Sequence, residues 1–324
     1  MTAFATDNFT KATALATARE LPRPMPGKTG WPWVHEKPDQ PSASARPKIT
    51  IVTPSYNQGA YLEETIRSVL LQNYPNLEYI VMDGGSTDGS VEIIRKYSGF
   101  LSHWESRRDD GQADAIARGF ARSRGEILGW LNSDDLLLPG CLEKVARVFA
   151  NNPDCHCVSG GCVMIDAESR TLSGFLGVPL FQIGVKATLR RLVLWKMDFS
   201  QMSCFWRRSA YEKVGGFDTS LKFAFDYDLF LRLARLGPFS RSADFFSCFR
   251  VHDASKTSTI SDIGRQEVAS LRERFQRYVP VSFLSRWERS HYQFSELFSR
   301  RLAQLLVSTR LKRFPQLSRP ATTR

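Results

Sequence analysis

The chain has 324 residues, 42% of them hydrophobic, enough for one large or two small cores. No apolar run reaches the roughly 20 residues that span a bilayer. The first residues also lack the basic start and continuous apolar core of a signal peptide, so a cytoplasmic protein is expected. The net charge is +11, and residues 265 to 324 alone hold 13 Lys or Arg against 4 Asp or Glu.

Residues 1 to 47 are rich in Ala, Thr and Pro and lack sustained periodicity, which predicts a flexible N-terminal arm in which Trp31-Pro32-Trp33 docks locally. Order begins at Lys48. Ile49-Thr50-Ile51-Val52-Thr53 reads as a buried parallel strand and stops at the turn Pro54-Ser55-Tyr56-Asn57-Gln58-Gly59. Leu62, Ile66, Val69 and Leu70 then recur at helical spacing. Leu77 to Met82 is a second strand, ending in Asp83-Gly84-Gly85-Ser86-Thr87-Asp88-Gly89. A helix follows from about Val91 to Tyr97, and Ala113, Ile116, Ala117 and Phe120 mark another. Ile127 to Leu131 is a strand that leads into Asn132-Ser133-Asp134-Asp135. Such alternation predicts a parallel sheet covered on both faces, with ligands beyond the carboxyl ends of the strands. Pro54 to Asn57, Asp83 and the Asp134-Asp135 pair all fall at those ends.

From Pro139 a helix runs to about Asn151, with strands near 155 to 165. Residues 170 to 200 follow no clear period. Tyr227 to Leu236 is a strong helix that stops at Gly237-Pro238. The basic tail interleaves Phe275, Tyr278, Phe283, Trp287, Tyr292, Phe294 and Phe298 with its charges. It reads as helical, and three uses fit it: packing on the domain, an anionic membrane surface, or nucleic acid.

Two adjacent carboxylates at the mouth of a buried strand suit a hard cation, Mg²⁺ or Mn²⁺, held against a diphosphate. The alternative is a solvated turn in which Asp135 caps the next helix. No G-x-G-x-x-G follows the first strand and no G-x-x-x-x-G-K-[ST] occurs, which argues against dinucleotide-dependent hydride transfer and P-loop phosphoryl transfer. Asp83 to Gly89 lacks the alternating oxygen ligands of a calcium loop. Cys155-His156-Cys157 with Cys162 departs from paired zinc spacing and alternates as buried strands do.

Several segments together resemble the family-2 glycosyltransferases of GT-A fold. They are Thr53 to Asn57, Asp83 to Gly89, Asp109-Asp110-Gly111-Gln112, Asn132 to Asp135, Gln201 to Arg208, Val214 to Asp218, Phe225-Asp226-Tyr227-Asp228 and Phe249 to Thr257. The resemblance covers residues 48 to 258. It implies a Rossmann-like, mostly parallel central sheet with helices on both faces, plus a C-terminal helical extension. The GT-A domain would span 48–260, with a nucleotide-binding half (48–136) and an acceptor half (137–260), and the basic aromatic tail 261–324. It also implies an inverting, metal-dependent transfer of sugar from a nucleotide-diphosphate sugar, usually a UDP-sugar, to a saccharide or lipid-linked saccharide in surface-polysaccharide synthesis. Pro54, Tyr56 and Asn57 would lie at the base pocket. Asp83 would meet the pyrimidine ring. Asp109 and Gln112 would sit beside the donor, and Asp134 would face ribose or sugar. Asp135 and His252 would hold Mg²⁺ or Mn²⁺, Lys256 would neutralise the diphosphate, and Asp226 would be the general base. Asn132 stands where the family often has Asp, and Phe225 where it often has Glu.

Two other classes were open at the level of sequence. One is a sugar-nucleotide-forming nucleotidyltransferase, whose Gly-rich, Arg-containing loop is missing after the first strand. The other is a non-catalytic nucleotide- or nucleic-acid-binding protein, which has no need of Asp83, Asp134, Asp135 and Asp226 together.

Overall fold

The computed structural model describes residues 20–24, 28–33, 46–173, 179–195, 197, 199–253 and 261–279. The first strands are β1 (Ile49–Ser55), β2 (Leu77–Asp83), β3 (His103–Ser106) and β4 (Ile127–Trp130). Between them run α1 (Gly59–Leu70), α2 (Ser90–Tyr97) and α3 (Gln112–Arg122). β1 lies at the centre of this part, parallel to β2 on one side and to β4 on the other. Its side chains alternate between two cores. Ile49 and Ile51 pack with Leu62, Ile66 and Val69 of α1, whereas Val52 packs with Ile116 and Phe120 of α3. β2 repeats the pattern, with Tyr79 and Val81 on one face and Ile80 and Met82 on the other. A strand buried on both faces reads as a near-continuous apolar run, which β1 and β2 carry apart from Thr50, Thr53, Glu78 and the terminal Ser55 and Asp83.

The second part adds β5 (Leu136–Leu137), α4 (Cys141–Asn151), β6 (Cys157–Ile165), β7 (Phe181–Gln182), α5 (Leu189–Trp195), β8 (Cys204–Arg207), α6 (Arg208–Lys213), α7 (Phe225–Ala234), β9 (Ser240–Arg250) and α8 (Ser261–Gln276). All strands join one sheet in the order β3-β2-β1-β4-β8-β6-β9-β5, with β7 on β6. β8 runs antiparallel to both β4 and β6, and β9 runs parallel to β6. The two halves are therefore continuous through the β4–β8 ladder. β7 and α5 occupy the stretch that had no readable period.

Part of the expected flexible arm belongs to the core. Leu21, Trp31 and Trp33 are buried. The Trp31 indole donates to the Leu137 carbonyl (2.8 Å), and that of Trp33 donates to Glu64 Oε1 (3.0 Å). Arg67 of α1 donates to the carbonyls of Pro22 and Pro32. Each indole buries a large apolar area and satisfies its one polar atom, so a short aperiodic segment holds its place without regular structure. The start of the tail packs on the domain, one of the three uses open to it. Through Val279 it is part of the fold, since Leu271, Phe275 and Val279 are buried against α5 and α7. The remaining aromatic positions from Phe283 onward, and most of the arm, lie outside the described residues. Among the described residues no helix is long and apolar enough to cross a membrane.

Candidate active site

A cavity of about 840 Å³ opens over the carboxyl ends of β1, β2 and β4. From β1 it takes Pro54, Ser55 and Tyr56, the last 63% exposed. Asn57 follows with φ 51° and links the two loops beside the cavity. Its N–H donates to Ser86 Oγ (2.8 Å) and its Oδ1 accepts from Thr87 N–H (2.9 Å).

Asp83, at the end of β2, is fully buried and does not line the cavity. Its Oδ2 accepts from the N–H groups of Gly85 (3.0 Å) and Ser86 (2.9 Å) and from Ser106 Oγ (2.7 Å), and its Oδ1 accepts from Ser86 Oγ. The carboxylate thus fixes the turn whose Gly84 and Gly85 line the site. Gly84 is close-packed there, because a Cβ would come within 2.8 Å of Asp109 Oδ2. Asp109 faces the cavity and its Oδ1 accepts from Gly111 N–H (3.0 Å). Gln112 lines the cavity too and donates to Asn132 Oδ1 (2.8 Å), which in turn donates through Nδ2 to Asp135 Oδ2 (3.2 Å).

The two adjacent carboxylates diverge. Asp134 lines the cavity, and its Oδ2 lies 3.0 Å from His252 Nε2. Asp135 points inward and is fully buried, with Oδ1 accepting from Arg250 N–H (3.0 Å). Burial, and then the neighbouring Asp134 charge, push the Asp135 carboxyl well above the usual carboxylate range. Each carboxylate follows its partners: Asp134 meets His252, and Asp135 meets the Arg250 N–H and the Asn132 amide. The turn itself is pinned by Thr65 of α1, whose hydroxyl lies 2.9 Å from the Ser133 carbonyl and 2.8 Å from that of Asp135.

Arg250 ends β9 and is wholly buried. Its Nε donates to the Asp134 carbonyl (2.7 Å), its Nη2 to Glu64 Oε2 (2.7 Å), and its Nη1 to the carbonyls of Asp166 and Ala167 and to Ser169 Oγ. One guanidinium therefore ties the acidic turn, helix α1 and the loop after β6 to the strand that delivers His252. The His252 ring also packs against Tyr61, with centroids 4.7 Å apart.

Asp226 lines the same cavity from the first turn of α7, flanked by Phe223 and Phe225. That turn is held from α8. Glu267 accepts from the backbone N–H groups of Lys222 (2.8 Å), Phe223 (2.9 Å) and Ala224 (2.7 Å). A carboxylate placed over free N–H groups at a helix start satisfies them and complements the helix dipole.

Lys256 lies outside the described residues. Sequence reasoning missed Glu267, Arg108, Gln201 and Trp130, three of which line the cavity. Only the basic pair before Asp109 offered a signal for Arg108. Ser55 Oγ and Trp130 Nε1 are buried in the cavity wall without a hydrogen-bond partner among the described residues, which leaves two polar atoms for a ligand. Also among the described residues, no group of three or more His, Cys, Asp or Glu side chains could hold a metal ion. Asp134 offers the cavity a carboxylate oxygen, the ligand type that suits Mg²⁺ or Mn²⁺, whereas His252 is buried, does not line the cavity and meets that carboxylate through Nε2. The six cysteines are buried thiols, and burial holds those of Cys157, Cys204 and Cys248 well above their usual range.

The profile described as glycosyl transferase family 2 matches residues 50–215, just over half of the chain. An uncharacterized glycosyltransferase of Rickettsia typhi is 29% identical over 66% of this chain and 67% of its own. Chondroitin synthase of Escherichia coli is 28% identical over 63% of this chain but only 29% of its own length. Among solved structures, S. aureus TarS 1-349 in complex with UDP-GlcNAc has a TM-score of 0.51 at 18% identity, covering 70% of this chain and 66% of that one. The mannosyltransferase PcManGT of Pyrobaculum calidifontis, in complex with GDP-Man and Mn²⁺, has a TM-score of 0.53 at 19% identity, over 77% of this chain and 70% of that one. The sheet, with its rim of acidic and polar side chains, is thus the GT-A architecture, and the chain belongs to glycosyl transferase family 2 and is a glycosyltransferase.

Proposed function

We propose that the protein is an inverting, metal-dependent transferase that moves a sugar from a nucleotide-diphosphate sugar, with a UDP-sugar as donor, to a saccharide hydroxyl. The observation that carries this reading is that Asp134 and Asp226, from distant segments, line one cavity large enough for a nucleotide sugar. Tyr56 and Pro54 offer an apolar and aromatic wall to the base. Asp109, Gln112, Trp130 Nε1 and Ser55 Oγ supply polar contacts to ribose and sugar, and Arg108 supplies positive charge at the same wall. Asp134 is the residue that would hold Mg²⁺ or Mn²⁺. This revises the expectation for Asp135, whose oxygens face the protein interior, and for His252, which is buried against Asp134. When bound, such a cation neutralises charge on the diphosphate.

Asp226 takes the proton of the incoming hydroxyl. The acceptor oxygen bonds to the anomeric carbon, the bond from that carbon to the diphosphate oxygen breaks, and the nucleoside diphosphate leaves with the electron pair. Attack opposite the leaving group inverts the anomeric centre. Asp83 acts from beneath by fixing the Gly84-Gly85 turn. A polysaccharide acceptor is favoured by the relative named chondroitin synthase, of which this chain spans under a third. A sugar-nucleotide-forming reaction fits less well, since Pro54-Ser55-Tyr56 occupies the place of a phosphate-cradling loop.

Thermal denaturation of the full chain with UDP, GDP, dTDP and CMP, each with and without Mn²⁺, tests the donor assignment. The expected result is a rise in melting temperature with UDP that needs Mn²⁺. Stabilisation by GDP alone among the four would contradict the uridine assignment, and none by any would contradict the nucleotide-sugar reading.

A further inference from the structure

A second cavity, of about 360 Å³, lies between the Gly215–Asp218 turn and the C-terminal ends of α7 and α8. Four arginines line it: Arg232, Arg235, Arg274 and Arg277. Two carboxylates, Asp218 and Asp228, oppose them. Asp228 is buried and consumed twice, by Arg232 (2.6 Å) and by Arg274. Asp218 accepts from the Ser220 hydroxyl and N–H. Arg235 and Arg277 have no ion pair with a carboxylate among the described residues. Their guanidinium carbons sit 4.1 and 4.9 Å from the Tyr278 ring centroid, and that ring is 41% exposed. The pocket therefore holds a net charge of about +2, concentrated on two guanidiniums oriented by one exposed aromatic ring.

We propose that this arginine pocket binds the phosphate of an anionic lipid headgroup and seats the protein on a membrane surface. Guanidinium forks match phosphate oxygens in geometry and charge. Tyr278 is an amphipathic ring of the kind that settles at the lipid–water boundary. Residues 280 to 324, which follow directly, contain nine Lys or Arg and two Glu, so the charge that would meet an anionic surface continues in the sequence. Phe217 forms part of this wall and packs edge-on against Trp130 of the donor cavity, with centroids 5.2 Å apart, so these two rings lie between the pocket and that cavity.

Co-sedimentation of the full chain with phosphatidylcholine vesicles, with or without phosphatidylglycerol, tests it. The wild type is expected to partition onto the anionic vesicles only. R235A/R277A should weaken that partition roughly 10- to 30-fold, the loss expected for two cationic groups at a charged surface. R310A/R313A removes the same charge from the tail and should weaken it less. Unchanged melting temperature and nucleotide binding show that the pocket variant is folded. Equal losses from the two variants would overturn the proposal in favour of diffuse attraction by the basic tail. Titration with inorganic phosphate separates the remaining source. Saturable, Arg235- and Arg277-dependent phosphate binding without vesicle partition would make this a site for a soluble phosphate and overturn the membrane assignment.

Discussion

His252 Nε2 lies 3.0 Å from Asp134 Oδ2, although 118 residues separate them in the chain. The contact closes the acidic turn after β4 against the end of β9, and Asp134 rather than Asp135 is the carboxylate that lines the cavity. The two positions should therefore fail differently. Asp134→Ala should weaken Mn²⁺-supported UDP binding at least about tenfold with little change in melting temperature. Asp135→Ala should lower stability by about 1–3 kcal/mol, because the Arg250 N–H and the Asn132 amide lose a buried acceptor. Titration calorimetry and chemical denaturation of both variants check this, and the opposite pattern would return the metal to Asp135.

The Arg250–Glu64 pair is the second dependency. Arg250→Met leaves Glu64 buried without its strongest partner and should cost about 3–5 kcal/mol in denaturant unfolding. Because Arg250 also holds the Asp134 carbonyl, residual folded protein should bind nucleotide poorly as well.

The same pair has a pH signature. Burial pushes the Glu64 carboxyl up, but Arg250, Ser169, Lys28 and Trp33 together outweigh it and leave it below its ordinary value of 4.5. A group depressed in the folded state contributes stability above its unfolded value and loses it as pH falls through the folded one. The stability gap between wild type and Glu64→Gln should therefore be flat above about pH 4.5 and shrink below it. A gap that widens on acidification would contradict the assignment.

Glu267 links the tail to the chemistry. Glu267→Ala removes the acceptor for three N–H groups at the start of α7 and should cost about 0.5–2 kcal/mol. Since that turn carries Asp226, kcat should fall more than UDP affinity. Steady-state kinetics beside UDP titrations reads the split, and equal losses in both would mean that the contact supports only the fold.

The first half of the fold was legible because β1, β2 and β4 are short runs of mostly apolar and β-branched residues separated by amphipathic helices. The convergence of Asp134 and Asp226 was legible through motif order, which stands in for spatial placement. What stayed hidden has a physical cause in each case. Trp31 and Trp33 hold their segment through single indole contacts, which leave no period. Asp83 and Asp135 look like surface carboxylates in sequence, yet both are satisfied internally, and only the direction of each side chain reveals it. Glu267 sits in a charged helix where nothing distinguishes a cap for another element from a solvated face.

The central claim is that Asp226 accepts the proton of the attacking hydroxyl. The most direct measurement is release of UDP from a panel of UDP-sugars, with Mn²⁺ and water or a saccharide as acceptor, by wild type and Asp226→Asn, alongside the UDP affinity of each. The predicted result is a fall in kcat of about 10²–10⁴-fold with nearly unchanged affinity. Turnover by Asp226→Asn at the wild-type rate would contradict it.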